Sequence, residues 1–464
     1  MGTAIDGLSS GLDTTSMINS LMAVEALPQT QLKTKLASDQ SMITSLQGLN
    51  TRLTLLNSTA SGDATVNALN LFTASTSAPS LTATANTSAA AGSLDVTVTK
   101  LAQTQVDVTA AMASWPVDAG GAPAKLTIVD AIGKQTEIAP ASTSLDDVVT
   151  AINAASGGAA AVKVPAGNGT YRLQLTATAS GAAGAFQIYQ GSAADVTAGT
   201  ATDLMSDPAA AVVRTAQDAE AVLYAGTAAE QKITSATNTF TNLLPGVSVT
   251  ATAVSAAPVT VTVASDTAAI SQKASDLVKA VNDALGFISD NSSVTTTTTA
   301  DGTSAAKGGI FTGNSSVRAV GDALLTAMAA PVNGKSPSEY GIVITRDGNF
   351  TFDKDKLAAA MASDPAGTSA ALQTIASRVA TSTNNATDPV QGSVTSLIKG
   401  QQSEVADLND QISNWDTRLA NRRATLQAQF TNMEVLLGGL KAQSSWLTGQ
   451  LAGLSTSSSS SSGN

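Results

Sequence analysis

Residues Glu404 to Leu454 read EVADLNDQISNWDTRLANRRATLQAQFTNMEVLLGGLKAQSSWLTGQLAGL. Apolar side chains fall at Val405, Leu408, Ile412, Trp415 and Leu419, with spacings of 3, 4, 3 and 4 residues. They resume at Leu426, Phe430, Met433, Leu437, Leu440, Leu447, Leu451 and Leu454, in steps of 3, 4 or 7. That pattern is a heptad seam, a narrow stripe suited to a partner helix. The two halves are out of phase by a four-residue step around Arg422 and Arg423, and such a stutter locally unwinds a supercoil without ending the helix. A continuous helix of this length runs roughly 75 Å at 1.5 Å per residue. One rod that long cannot bury its stripe alone, so something must lie along it.

The other end of the chain offers a partner. Leu32, Leu36, Ile43, Leu46, Leu49, Leu53 and Leu56 recur at helical spacing. Ahead of them Asp13 is placed to cap a shorter helix that carries Met17, Ile18, Leu21 and Met22. Pro28 lacks an N–H and clashes with the preceding turn, so a kink or break is expected at Leu27–Pro28. Two core helices of an ordinary globular domain would share this periodicity. Both segments, however, exceed the usual helix of about 11 residues, which favours one shared stem with the middle of the chain inserted into it.

Composition narrows the rest. The chain has 464 residues, 43% of them hydrophobic, enough for two to four domains with real cores. A net charge of −11 without a polybasic run argues against nucleic acid as a partner. No apolar stretch is long enough to span a membrane, and the first residues lack the basic start and apolar run of a cleaved signal peptide. Cysteine and histidine are both absent. Disulfides, thiol chemistry, the commonest general base and the commonest metal ligand go with them; no cofactor or metal is expected.

Taken in order, the chain reads as an α+β multidomain protein, its long terminal helices forming a coiled-coil stem with β-rich domains inserted between them. Residues 1–75 are the N-terminal helical stem, with Ser58–Asn70 as its fraying end or a linker. Residues 76–110 and 212–265 form an inner β-rich domain, with clear strands at Leu94–Val98, Val247–Thr252 and Val259–Val263. Residues 111–211 form an outer inserted domain with strands near Leu126–Val129, Tyr171–Leu175 and Phe186–Tyr189, and a helix opened by Ser144 and Asp147 in a capping-box-like start. A helical domain follows over residues 266–395, with helices capped at Asp266, Asn314 and Asp353 and a hairpin turning at Asp347-Gly348-Asn349. Ser292–Ser304 reads as a Thr-rich loop. The C-terminal coiled-coil helix takes residues 396–454, and 455–464 is a Ser-rich disordered tail.

Few places could carry chemistry. Asp347, Asp353 and Asp355 lie close together, but neither a DxDxDG run nor a glutamate at the twelfth position accompanies them. A hairpin turn and a helix cap account for them. Gly120-Gly121, Gly157-Gly158 and Gly308-Gly309 lack nucleotide-loop spacing. No catalytic constellation emerges, although a pair of carboxylates brought together only by the fold would leave no local signature.

Several stretches resemble the flagellar filament cap family, hook-associated protein 2. They are Ile5-Asp6-Gly7-Leu8-Ser9-Ser10-Gly11-Leu12-Asp13 with Met17–Glu25 at the start, and Gln429–Glu434 with Gln443–Thr448 at the end. Internally there are Gln217-Asp218-Ala219 leading to Leu244–Val247, Phe311–Asn314, and Tyr340-Gly341-Ile342 leading to Asp347-Gly348 and Asp353. Each is weak alone; their order along the chain makes the match specific. Residues 111–211 carry no matching motif.

The resemblance implies a non-enzymatic, extracellular protein at the filament tip of the bacterial flagellum, exported without a cleaved signal peptide. It implies a homo-oligomeric ring of about five subunits, a leg made of the terminal helices, and a plate made of the β-rich domains. The implied partners are further copies of the chain, flagellin, the hook–filament junction proteins and an export chaperone binding the C-terminal region, with no nucleic acid and no membrane insertion. Val405, Leu408, Ile412, Trp415, Leu419, Leu426, Phe430, Met433, Leu437, Leu440, Leu447 and Leu451 are the expected partner-helix interface. Met17, Ile18, Leu21, Leu32, Leu36, Ile43, Leu46 and Leu53 are the expected N-terminal stem. Two other readings stay open. One is a different axial component, a junction protein or flagellin. The other is a surface adhesin, with cell adhesion as its role, or a glycosidase on a helical stalk.

Overall fold

The computed structural model describes residues 10–298 and 304–457. Ile5–Ser9 of the opening motif and most of the expected Ser-rich tail lie outside the described residues. The chain forms two compact units. One takes the chain up to Ala64, Lys273–Leu357 and the chain from Ala371; the other takes Thr65–Gln272 and Ala358–Ala370.

The first unit is largely helical. Helix α1 (Thr14–Glu25) starts where Asp13 accepts from Ser16 N at 2.8 Å. Helix α2 runs over Leu27–Ala64. The break between them is at Ala26, just ahead of the expected Leu27–Pro28. Pro28 thus sits in the first turn of α2, where its missing N–H costs no helical bond. Ala26 N still bonds Met22 O at 2.9 Å and Thr30 N bonds Ala26 O at 3.0 Å, so the chain bends without losing its backbone partners.

Ser58–Asn70, expected as the stem's fraying end or a linker, divides in two: Ser58–Ala64 continues α2, with Ala60 and Asp63 buried, and a turn-rich connection follows over 65–70. Leu46, Leu49, Leu53, Leu56 and Ala60 are each 0% exposed. Buried Asp63 is ion-paired to Lys273 at 2.6 Å, on α5 (Thr267–Ser292). Arg52 lies over the Phe287 ring, 4.1 Å from its centroid. The unit also holds α6 (Ser315–Ala329), parts of α7 (Lys354–Ser363) and α8 (Pro365–Thr387), and α9 (Ser393–Ser457). α9 is 65 residues long, about 100 Å at the standard rise. The caps expected from Asp266, Asn314 and Asp353 form: their side chains accept from Ala269 N, Val317 N and Lys356 N.

The second unit contains two β bodies. The inner one has strands β1 (Phe72–Thr76), β2 (Leu81–Ala85) and β3 (Gly92–Lys100). Later in the chain come β12 (Ala219–Leu223), β13 (Gln231–Ser235), β14 (Thr239–Leu244), β15 (Val247–Ala251) and β16 (Val259–Ser265). They make one sheet of order β1-β16-β3-β12-β13 and another of order β14-β15-β2, sharing a core that includes Val96, Val98, Val261, Phe240 and Val249.

The outer body has β4 (Val106–Val108), β5 (Leu126–Asp130), β6 (Gln135–Ile138), β7 (Ala159–Gly167), β8 (Thr170–Ala177), β9 (Phe186–Gln190), β10 (Thr202–Asp203) and β11 (Ala211–Arg214). Helices α3 (Leu145–Ala154) and α4 (Ala193–Ala198) accompany them. The sheet orders are β11-β4-β8-β7 and β10-β9-β5-β6, and Trp115, Ile128, Leu173, Leu175 and Ile188 fill the core. Because β4 and β11 pair into this body, it begins before residue 111 and ends after 211.

Three local expectations change. Ser144 alone caps α3, while the Asp147 carboxylate takes the Ser142 hydroxyl instead of closing a capping box. The Thr-rich stretch after α5 is not a loop but a hairpin of β17 (Val294–Thr298) and β18 (Ser304–Gly308), since β-branched threonine favours extended backbone. The helical stem, expected over residues 1–75, ends at Ala64, and the inner β body begins with β1 at Phe72–Thr76. A further hairpin, β19 (Ile342–Ile344) with β20 (Phe350–Phe352), matches the expected turn.

Candidate functional site

The two chain ends build one helical arm. α1 and α2 run antiparallel to α9, and polar contacts trace the register from tip to base. Ser10 bonds Glu434, Arg423 donates to Asn19 at 2.8 Å and Arg422 pairs with Glu25 at 3.4 Å. Gln29 donates to Asp416 at 2.5 Å, and Lys35 pairs with Glu404. Each pair advances in one helix as it retreats in the other. Most of these pairs are solvent-exposed and set register more than stability.

Under them lies the apolar seam. Ile18 and Met22 of α1 bury against Leu426 of α9, with Leu419 and Phe430 alongside. Leu408 is fully buried; Val405, Ile412, Trp415, Met433 and Leu437 are half-buried, as are Leu32, Leu36 and Ile43. Leu46 and Leu53 sit deeper, in the core of the helical unit rather than on the arm. Their heptad spacing cannot distinguish a two-helix seam from a bundle core.

Other seam residues face solvent. Leu440 is 62% exposed, Leu447 56% and Leu451 61%. In the antiparallel register Ser10 sits beside Glu434, so these residues lie on the stretch of α9 that follows that contact. Val435, Leu436 and Trp446 are exposed there too. Met17 and Leu21 form a second, outward stripe on α1 with Val24. Leu21, Val24, Pro28, Trp415 and Leu426, with the Glu25–Arg422 pair, line an open cavity of about 340 Å³ at the α1–α2 bend.

The contact that sequence reading missed joins the two terminal motifs. Glu434, 3% exposed, accepts Ser10 N at 3.2 Å and the Ser10 hydroxyl as well. Leu12 N donates to Ser10 Oγ at 3.2 Å, Gly11 turns the chain at φ 73°, and Asp13 opens α1. Ser10-Gly11-Leu12-Asp13 and the Glu434 that closes Gln429–Glu434 are thus two halves of one strap. The signal available was their joint presence at opposite ends of the chain, not anything within either motif.

No cluster of metal-ligating residues occurs among the described residues. Among them, no helix is long and apolar enough to cross a membrane. What the arm offers is a surface: a fixed seam near its base and a solvent-facing apolar stripe toward its tip.

Comparison with known proteins bears on this arrangement. A family model described as the flagellar hook-associated protein 2 N-terminus matches residues 10–105, and one described as its C-terminus matches residues 216–442. Between them lies the outer β body. Flagellar hook-associated protein 2 of Escherichia coli O157:H7 is 26% identical over 465 residues, 97% of this chain and 98% of that protein. The protein of the same name from Escherichia coli strain K12 is 26% identical over 468 residues, with the same coverage of 97% and 98%. The crystal structure of the D1-D2-D3 domains of the flagellar cap protein FliD from Escherichia coli aligns with a TM-score of 0.60 at 21% identity. It covers 77% of this chain and 99% of that one, a likeness of fold.

Proposed function

Because the chain belongs to the flagellar hook-associated protein 2 family, we propose that it works as a structural cap at the distal end of the bacterial flagellar filament. There it retains exported flagellin and promotes its folding and insertion at the tip. The observation that carries this reading is the strap between Ser10 and Glu434, which ties together the two terminal motifs of the family. A flagellar cap makes and breaks no bond in its substrate, and a chain without histidine or cysteine suits that role. The main reading is favoured over a junction protein, flagellin, or an adhesin or glycosidase on a stalk, because both family models are those of the cap.

Finer points belong to the same proposal. The subunits form a ring, of about five in this reading, held by the β bodies as a plate, with the helical arm as the leg. The exposed stripe at Leu440, Leu447 and Leu451 and the outward stripe at Met17 and Leu21 meet partner helices, flagellin first among them. The buried seam keeps the two chain ends together while those contacts form and release. Junction proteins at the filament base and an export chaperone on the C-terminal region complete the partners, and export proceeds without a cleaved signal. Complementation of a cap-null strain is the test, with filament length and secreted flagellin monomer as readouts. Restored filaments and a ring of the purified protein in electron micrographs are expected. Secretion of unpolymerised flagellin despite normal export of this protein would refute the reading.

A further inference from the structure

The outer β body meets the inner one at a compact polar node. Gln103 and Gln217, on the two strands that cross between the bodies, bond each other's backbones: Gln103 N to Gln217 O at 2.8 Å and Gln217 N to Gln103 O at 3.2 Å. Arg214 donates to Thr104 O at 2.7 Å and to Thr104 Oγ1 at 2.6 Å. The crossings are therefore zipped, not two independent linkers.

A loop of the outer body then reaches back onto the inner one. Gly181 N donates to Gln103 O at 3.1 Å. On either side, Ser180 Oγ donates to Ala236 O at 2.7 Å and Ala182 N donates to the Asp218 carboxylate at 2.7 Å. Gly181 adopts φ 85° and ψ 168°, a region essentially closed to residues with a Cβ. A Cβ there would stand 2.5 Å from the Ala236 Cα and 2.7 Å from its carbonyl oxygen. The two backbones meet with no room for a side chain, and the obstacle is main chain, which cannot rotate aside.

We infer that Gly181 and Asp218 are positioning residues that clasp the outer β body at a fixed angle on the inner one, so that the two move as one piece. Zipped crossings alone leave a hinge about their common axis. The 180–182 loop adds a third attachment that grips the crossing at Gln103 and Asp218 and also reaches Ala236 on a separate segment of the inner body, and this opposes the remaining rotation. This goes beyond the capping role and does not depend on it.

The test is distance measurement between spin labels in the full chain, where the lack of native cysteine makes labelling specific. One label sits at Ile132→Cys in the outer body and one at Val254→Cys in the inner body, 88% and 57% exposed. A single narrow distance is expected with the native clasp. Gly181→Val should replace it with a broad spread while each body keeps its near-ultraviolet signature. Asp218→Ala, which introduces no clash, should broaden it to a lesser degree. A broad spread with the native clasp, or a narrow one in both variants, would overturn the inference.

Discussion

Asp107 on β4 is 1% exposed, yet only one of its carboxylate oxygens has a partner, the Gln105 amide at 2.7 Å. Burial pushes its pKa up; the Gln105 bond opposes this and the Asp203 charge adds to it. With the folded value raised, this group's contribution to stability is whole below the unfolded value near 3.9. It is lost as pH rises through the folded value, because the unfolded chain ionises first. Asp107→Asn should therefore stabilise the outer body at pH 7 by about 1 kcal/mol, the scale of one poorly satisfied buried polar group. The gain should vanish below about pH 4, where both forms are neutral; thermal melts at the two pH values, read through buried Trp115, check it. Glu434 presents the opposite case, a buried carboxylate with donors in place. Glu434→Ala should speed hydrogen exchange at the Ser10 amide roughly tenfold to a hundredfold, since a hydrogen bond to a charged acceptor is worth about 1.5–3 kcal/mol. Glu434→Gln, which keeps an acceptor, should lie between that and the native chain.

Among the elements, α2 and α9 were legible because bulky aliphatic residues repeat in them at a period that only a helix satisfies. The same repeat could not tell buried Leu46 and Leu53 from solvent-facing Leu447, since spacing reports a stripe and not what covers it. Leu53→Ala should cost about 2–5 kcal/mol by opening a cavity in a packed core. Leu440→Asp with Leu447→Asp should change melting by no more than about 0.5 kcal/mol per site, as exposed positions do, yet stop filament growth. Calorimetry and motility of the two variants separate core from interface. The strands that sequence reading missed are built from small residues. β1 is Phe-Thr-Ala-Ser-Thr and β2 is Leu-Thr-Ala-Thr-Ala, and each buries too little per residue to announce a sheet face. β7 was hidden further by Pro165, tolerated because β7 is an edge strand. That edge is closed by the Asn153 amide of α3, which accepts from Ala161 N at 2.8 Å and donates to Ala161 O at 3.0 Å. Asn282 of α5 clasps Phe350 of β20 in the same way. These amide bridges, across eight and 68 residues, leave no trace in the apolar periodicity.

At the scale of the whole molecule, the outer β body is the part most separable from the rest. The two family models stop at residue 105 and resume at residue 216, and the chain crosses between the β bodies at Gln103 and Gln217. The crossing strands are already antiparallel and backbone-bonded there, so a short Gly-Ser turn can join them without strain. A cut placed inside the body, as in deletion of residues 113–209, would be worse. It would strand β4 and β11 without β8, uncovering Val106, Asp107 and Val108 of β4 in a two-stranded remnant that cannot hold itself together in water. Removing 104–216 instead takes away the outer core whole and leaves the inner core, including Val96, Val98, Phe240 and Val261, with every strand of its sheets. At the clasp it frees the groups that the 180–182 loop holds, Gln103 O, Ala236 O and the Asp218 carboxylate, all of which water can satisfy. The shortened chain is expected to melt cooperatively, to assemble as the full chain does, and to restore filament growth in a cap-null strain. The chain lacking 113–209 is expected to aggregate or to be degraded. If the 104–216 deletion folds but filaments fail to grow, the outer body takes part in capping itself and is not a separable insertion.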